Sequence, residues 1–484
     1  MRTPIADFVS AYAERSPVRA HMPGHKGNGA LERLDITEVD GAGVLYTESS
    51  AACHSEPQGE ESMNREGKGI LRCAQNDMTD IIMESERNAA ALFGAAKTLY
   101  SAEGSSLCIR AMLYLARLHA VQQGRRPVIL AGRNAHAAFL SGAALLDLPV
   151  EWLLPEGGSV LSCEIESQAL DACIRALPEP PAAVYITSPD YLGNTADLPA
   201  LARVCHAHGC LLLVDNAHGA YLRFLPQSRH PMDLGADLCC DSAHKTLPVL
   251  TGGAYLHFGR CCPVGLLDAG ESAMRLFAST SPSYLILQSL DRANAVLAKD
   301  YPQRLEDFCK KMGALMDRLS RLGYSLSGDE PLKLTIDAKA YGYLGTALAA
   351  CLLQRGISCE FADPDFLVLM LSPENRDEDL KRIEAALCSI PKRRPIEGRP
   401  PVLSAPQTVI SPRQALLSPS VRLPAAECEG RILAQPSVSC PPAVPIAVCG
   451  ERLNQTHLSL FAYYGIGQLR VVRPEFDPQL NKRR

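Results

Sequence analysis

The sequence lacks an excess of charge of either sign. Lys and Arg number 48 against 53 Asp and Glu, a net of −5 over 484 residues, so no global basic field draws in nucleic acid or an anionic membrane surface. Apolar runs are short, such as 347–353 and 366–371, and none approaches the roughly 20 residues of a membrane-spanning helix. Asp7, Glu14 and Arg15 interrupt the start of the chain, which argues against a secretory signal there. No C-x-x-C pair occurs among the 18 cysteines, removing the usual signals for a zinc ribbon or a thioredoxin-like redox site. Cysteines in apolar runs, such as Leu238-Cys239-Cys240, are expected as buried thiols. No G-X-Y period or internal repeat is present.

What is there is a globular composition, 47% hydrophobic and 21% charged, with length for about three domains at roughly 150 residues each. The expected partner is a small molecule, with neither nucleic acid nor membrane, and the expected compartment is the cytoplasm.

From about residue 84 to 290, helical and strand signals alternate, the pattern of a parallel sheet covered by helices. The apolar run 181–187 predicts a strand ended by Ser188-Pro189-Asp190. Asp197 then caps a helix through Leu198, Leu201, Val204 and Cys205, with Pro199 in its first turn and Gly209 ending it. Residues 210–214 (CLLLV) supply the next strand. Earlier, a helix after Gly104 ends near Gly124, a strand spans 127–131 and a helix begins near His136. Residues 301–392 change rhythm: a helix over 304–322, a strand at 332–336, a helix at 345–355, then strands at 357–361 and 366–371. This predicts a small α+β domain. Residues 393–412, rich in Pro and Arg, read as a solvated linker, and 413–484 as a minor C-terminal domain. The polar stretch 48–80 is longer than the about 12–15 residues usual for a loop in a compact domain and reads as an insertion.

Four features carry chemistry. Lys245, in Ser242-Ala243-His244-Lys245-Thr246, follows the apolar run 235–240 and stands at a strand's carboxyl end, where α/β sheets bind ligands. Asp215 ends the apolar strand and needs a partner there, such as a protonated ring nitrogen. Gly104-Ser105-Ser106 at a helix start offers free N–H groups and hydroxyls to a phosphate. His136 follows another strand. Each has a bland alternative as a surface lysine, a cap or a structural histidine, but all four fall at equivalent positions of one α/β series. His21 and His25 lie four apart, yet Pro23 and Gly24 between them disfavour a helical metal pair, and no metal is expected.

These segments resemble the Orn/Lys/Arg decarboxylase family of fold-type I pyridoxal-phosphate enzymes, in its shorter bacterial form. The resemblance rests on residues 21–27 (HMPGHKG), 35–41 (DITEVDG), 187–191 (TSPDY), 242–248 (SAHKTLP) and 279–284 (STSPSY). It extends more faintly over 414–452. It implies an α/β fold: a fold-type I large domain (81–300) with a mainly parallel sheet, the small α+β domain and the minor C-terminal domain, with residues 1–47 contributing to the active site.

The resemblance further implies pyridoxal 5'-phosphate as cofactor and decarboxylation of arginine, lysine or ornithine to an amine. Lys245 is then the lysine that attaches the cofactor, with Ser242 and His244 beside the phosphate. Asp215 keeps the pyridine nitrogen protonated, His218 lies near the cofactor oxygen, His136 stacks on the ring, and Ser105 and Ser106 bind phosphate. Thr280 and Ser281 approach the phosphate from a neighbouring subunit, which implies a homodimer with shared active sites. Lys245, His136 and Asp215 are the expected catalytic residues, with the proton donor left open between Lys245 and His136. Among Asp35, Glu38 and Asp40, one is a candidate for the distal cation of a basic substrate.

The chain departs from the family between Tyr46 and Glu84, where members have a short loop that walls the active site. Two alternatives to decarboxylation therefore stand at this stage: another pyridoxal-phosphate reaction on the same fold, or a catalytically silent cofactor-binding protein.

Overall fold

The computed structural model of the chain describes residues 1–14, 81–438 and 443–478. The motifs at 21–27 and 35–41, and the stretch 48–80, lie outside the described residues.

Seven strands form the central sheet: β1 (Lys97–Ser101), β2 (Ile129–Gly132), β3 (Val150–Leu153), β4 (Ala183–Thr187), β5 (Leu211–Asp215), β6 (Leu238–Asp241) and β7 (Ala254–Phe258). Their order is β1-β7-β6-β5-β4-β2-β3. The pairs β6–β5, β5–β4, β4–β2 and β2–β3 are parallel, and β7 is antiparallel to both its neighbours. A parallel sheet is covered on both faces, so its strands are apolar throughout instead of alternating with polar residues. In β5, Leu211 and Leu213 pack into one core with the helix Ser105–Gln122, whereas Leu212 and Val214 pack into another with the helices Ser167–Ala176 and Leu198–Ala207.

The helix Leu198–Ala207 forms for reasons legible in its sequence. Asp197 accepts a hydrogen bond from the Ala200 N–H at 3.1 Å, Pro199 sits where no donor is required, and Gly209 beyond the end takes φ 66°.

A second sheet is wholly antiparallel, in the order β10-β11-β9-β8, from β8 (Ser325–Ser327), β9 (Lys333–Asp337), β10 (Phe361–Ala362) and β11 (Phe366–Met370). The helices Tyr301–Arg321, Gly345–Leu353 and Asp377–Cys388 accompany it. The strand predicted over 357–361 is corrected to the two residues of β10. Ile357 spends its N–H on the Leu352 carbonyl, closing the preceding helix through Gly356 at φ 71°, so strand pairing begins only afterwards. The strand predicted to end at Cys240 runs on to Asp241.

Residues 391–406 carry no helix or strand but are anchored on both sides. The Arg393 guanidinium lies 4.4 Å over the Tyr343 ring, Arg399 pairs with Asp337 at 3.3 Å, and buried Leu403 donates its N–H to Gly158 O. The basic residues predicted as a solvated face are thus partly docked. Further along are the helices Pro412–Leu417 and Gln455–Tyr463 and three two-stranded ribbons. The 15 described cysteines are all free thiols. Among the described residues no helix is long and apolar enough to cross a membrane.

The C-terminal region is locked to the central sheet by Arg133, just past β2. Its guanidinium meets Glu451 in a fork, Nη1 to Oε1 at 2.6 Å and Nη2 to Oε2 at 2.8 Å, with neither side chain exposed. Removing one partner strands a buried charge. Arg133→Met should therefore destabilise the chain by about 3–5 kcal/mol, and the double change Arg133→Met, Glu451→Leu should recover most of it, read as denaturation midpoints. Additive losses in the double variant would show that the two charges are not coupled.

Candidate active site

Five of the sequence-predicted residues come from two adjacent strand ends. Asp215 is the last residue of β5 and is 2% exposed. Its Oδ2 accepts from the Tyr185 hydroxyl at 2.9 Å, and its Oδ1 from the Ala217 N–H at 3.2 Å and the Cys240 thiol at 3.6 Å. Burial, with Asp215 nearby, pushes the Tyr185 phenol well above its usual range, so it stays a donor. The chain then turns through Asn216-Ala217-His218-Gly219. A Cβ at Gly219 would lie 2.0 Å from Asn216 Oδ1, so the turn admits only glycine there.

Beyond β6, Ser242 precedes the single helical turn Ala243–Thr246, which carries His244 and Lys245. Lys245 Nζ lies 3.0 Å from His218 Nε2. Desolvation pushes the Lys245 amine below the usual lysine range, against the pull of Asp215 and Glu360 and with Lys333 assisting. His244 is turned aside, its Nδ1 3.0 Å from the Gly253 carbonyl.

Ser242 Oγ donates to Ser105 Oγ at 2.8 Å, joining β6 to the start of the helix Ser105–Gln122. Gly104 precedes that helix at φ 73°, and no side chain caps it. Its first N–H groups therefore remain available beside two hydroxyls, in the positive field of an 18-residue helix. His136 caps the helix Ala137–Leu146, accepting from Ala138 N–H at 3.1 Å through Nδ1. Its side chain is exposed and close enough to depress the His218 imidazole. Thr280 and Ser281 are exposed, on a loop held to this end of the sheet by Ser279 N–H donating to Glu103 at 2.6 Å. They make no described hydrogen bond to Ser105, Ser106 or Ser242.

Sequence reasoning missed the residues that reach the site from the second sheet. Lys333, at the head of β9, is 3% exposed and lies 3.1 Å from His218 Nδ1. Glu330 pairs with it at 2.9 Å. Glu360, just before β10, is exposed and accepts from the Tyr191 hydroxyl at 3.4 Å, while the Tyr191 ring meets the His218 ring edge-on at 5.4 Å. In β9 (KLTID) Lys333 sits in a polar–apolar alternation with Thr335 and Asp337, so nothing local marked it, and nothing local marked Glu360 either.

Beneath the site lies a second buried carboxylate. Asp241 Oδ2 is 2.9 Å from His230 Nε2 and 3.2 Å from His257 Nε2, and its Oδ1 accepts from Asn216 at 2.7 Å. These three residues are close enough to suit a metal ion, but the other ring nitrogens decide otherwise. His230 Nδ1 accepts from Met232 N–H, and His257 Nδ1 is 2.8 Å from the Thr98 hydroxyl. The backbone N–H fixes the His230 proton on Nε2, and both Nε2 atoms face a carboxylate oxygen that can only accept, so both rings donate to Asp241. Desolvation would raise the Asp241 carboxyl, yet the two histidines hold it below the usual carboxylate range.

A family profile described as "Orn/Lys/Arg decarboxylase, major domain" matches residues 74–327. The chain is 28% identical to an arginine decarboxylase of Bacillus subtilis (strain 168), covering 94% of this chain and 92% of that protein. It is 26% identical to an arginine decarboxylase of Halalkalibacterium halodurans, covering 98% and 96%. Among solved structures, the constitutive lysine decarboxylase of E. coli superimposes with a TM-score of 0.71 at 16% identity, covering 98% of this chain and 82% of that one.

The Asp241 triad is testable by itself. A carboxylate whose folded pKa is depressed contributes its stability above about pH 4 and loses it as the pH falls toward the folded value. Asp241→Asn should therefore melt lower than the parent at pH 7, by the equivalent of about 1–3 kcal/mol, and the difference should shrink as the pH is lowered through 4. A difference independent of pH would show that the charge contributes nothing.

Proposed function

The chain belongs to the Orn/Lys/Arg decarboxylase family, and from that premise we propose that it is a pyridoxal-phosphate-dependent arginine decarboxylase. The observation that carries this reading is Lys245, a half-buried amine held in its low-basicity range beside His218, one strand away from buried Asp215. The arginine decarboxylases that align over more than nine-tenths of the chain favour arginine.

The residues present fit the cofactor. An uncapped helix start with Ser105, Ser106 and the buried Ser242 hydroxyl suits a phosphate dianion. Asp215, already accepting three hydrogen bonds and without an ion-pair partner among the described residues, suits a ring N–H⁺. Pyridoxal phosphate, when bound, supplies an aldehyde for the lysine and a ring that accepts the electron pair left by departing CO2.

This chain's own groups supply the rest. Lys245 is the nucleophilic amine. Asp215, oriented by Tyr185 and Ala217, holds a proton on the ring nitrogen. Ser105, Ser106 and Ser242, with His244 alongside, would hold the phosphate, and His136 and His218 would hold the ring and its oxygen. Lys245 or His136 returns a proton to the substrate carbon. Glu360, beside Tyr191 at the edge of the site, accepts the guanidinium of the substrate, where two carboxylate oxygens match a two-pronged donor. The exposed Thr280 and Ser281 complete the phosphate site of a second copy in a homodimer. The free thiols fit a reducing cytoplasm.

Purified protein supplied with pyridoxal phosphate should release CO2 from arginine in preference to lysine and ornithine; preference for another of the three would reassign the substrate. Lys245→Ala should lose the visible absorbance band of the attached cofactor, and an unchanged spectrum would overturn the assignment of this lysine. Asp215→Ala should keep a band but lose on the order of 10²-fold or more in turnover. Glu360→Gln should raise KM for arginine about tenfold with kcat much less affected, as expected of a group that binds the distal end of the substrate. An unchanged KM would remove Glu360 from the substrate site.

A further inference from the structure

One imidazole ring stands between two lysines. His218 presents Nε2 to Lys245 Nζ at 3.0 Å and Nδ1 to Lys333 Nζ at 3.1 Å. Lys333 also donates to the Asp190 carbonyl at 3.0 Å and pairs with Glu330 Oε2 at 2.9 Å, the two side chains being 1% and 0% exposed. The other Glu330 oxygen accepts from the Tyr221 hydroxyl at 3.2 Å. Sheet, turn and second sheet thus meet in one chain of contacts: Glu330, Lys333, His218, Lys245.

With Glu330 as a carboxylate, the chain of contacts has one consistent set of protons. A neutral imidazole has one N–H and one accepting nitrogen, whereas an ammonium has three donors and no acceptor. Two ammonium groups on one ring would need two accepting nitrogens, which imidazole does not have. One of the two lysines is therefore an amine. Burial raises the Glu330 carboxyl, and Lys333 and the Tyr221 hydroxyl oppose that rise; with Glu330 as the carboxylate and the Asp190 carbonyl as a second acceptor, Lys333 is the ammonium, since an uncompensated carboxylate at that depth would be costly. His218 Nδ1 then accepts, Nε2 carries the hydrogen, and Lys245 receives that hydrogen only through a nitrogen lone pair.

We infer that Lys333, paired with Glu330, is a positioning residue that acts through the tautomer of His218 to hold Lys245 as a free amine with its lone pair directed at Nε2–H. The inference rests on the reading of Lys245 as the cofactor-attaching lysine, because a nucleophile needs a lone pair and an ammonium has none.

The surroundings agree. Facing Lys245, Asp215, Glu360 and Cys240 favour its charge, and burial and Lys333 oppose it, with burial the largest influence. Facing His218 are Lys333, Lys245 and His136, which oppose its charge, and the Asp190 backbone, which favours it. Burial first, and then the two lysines, push the imidazole well below its usual range and keep it neutral.

Two measurements on the full-length, cofactor-free protein test the inference without any turnover. The first follows the pH dependence of acylation of Lys245, read by mass spectrometry of its peptide, in the parent and in Lys333→Met with Glu330→Gln, which removes both charges together. The midpoint should rise by about one pH unit or more in the double variant, so labelling near neutral pH slows about tenfold; an unchanged midpoint in a folded variant overturns the inference. The second is nitrogen NMR of the histidine rings, with His218 assigned by its loss in His218→Gln. The parent should show the Nε2–H tautomer, and the double variant should shift toward Nδ1–H. Nδ1–H in the parent overturns the proposal even if the double variant fails to fold. A raised midpoint with the tautomer unchanged also overturns it, since charge repulsion alone would then account for the effect. Because neither readout needs decarboxylation, loss of the arginine decarboxylase reading and loss of this one are separate results.

Discussion

Asp241 is the constraint on which the rest of the site depends. Its carboxylate is fully buried at the end of β6 and gathers donors from the turn after β5 (Asn216), from the segment before β6 (His230) and from β7 (His257). His257 in turn reaches Thr98 on β1. One charge thus sets the spacing of four neighbouring strand ends in a region where unpaired polar groups are costly. The next residue is Ser242 and Lys245 follows three further on, so Lys245 inherits its position from a carboxylate buried beneath it.

Above that floor, two sheets share the work. The central sheet contributes Asp215, His218, Ser242 and Lys245 at the carboxyl ends of its strands, where α/β folds bind ligands. The antiparallel sheet contributes Lys333 and Glu330, with Glu360 at its edge. Neither sheet alone defines the protonation of Lys245, because His218 belongs to one and its second hydrogen-bond partner to the other. A substitution that changes how the sheets dock should alter the chemistry of Lys245 without touching it.

Much of this was legible from local signals. Runs such as CLLLV have no polar alternation and so belong between two layers of helices, and Leu212 and Val214 pack on one face as Leu211 and Leu213 do on the other. Asp215, as an acid closing such a run, and Lys245, just past the next one, stood out for the same reason: charge where an apolar pattern ends. The strand predicted at 357–361 shows the limit. Its β-like composition was real, but Ile357 closes a helix, and a backbone N–H has only one hydrogen to give.

The sequence by itself determined the α/β class and the alternation of strands and helices, because both are written in periodicities of two and of 3.6 residues, and it singled out Lys245 as an amine placed where an apolar run ends. It left undecided which groups surround that amine. Lys333 lies 115 residues from the histidine it contacts, and Glu451 lies 318 residues from Arg133. No local pattern encodes such pairings, since they come into being only when separately folded layers are pressed together and their buried charges must find partners. The protonation of Lys245 is therefore a property of the tertiary structure.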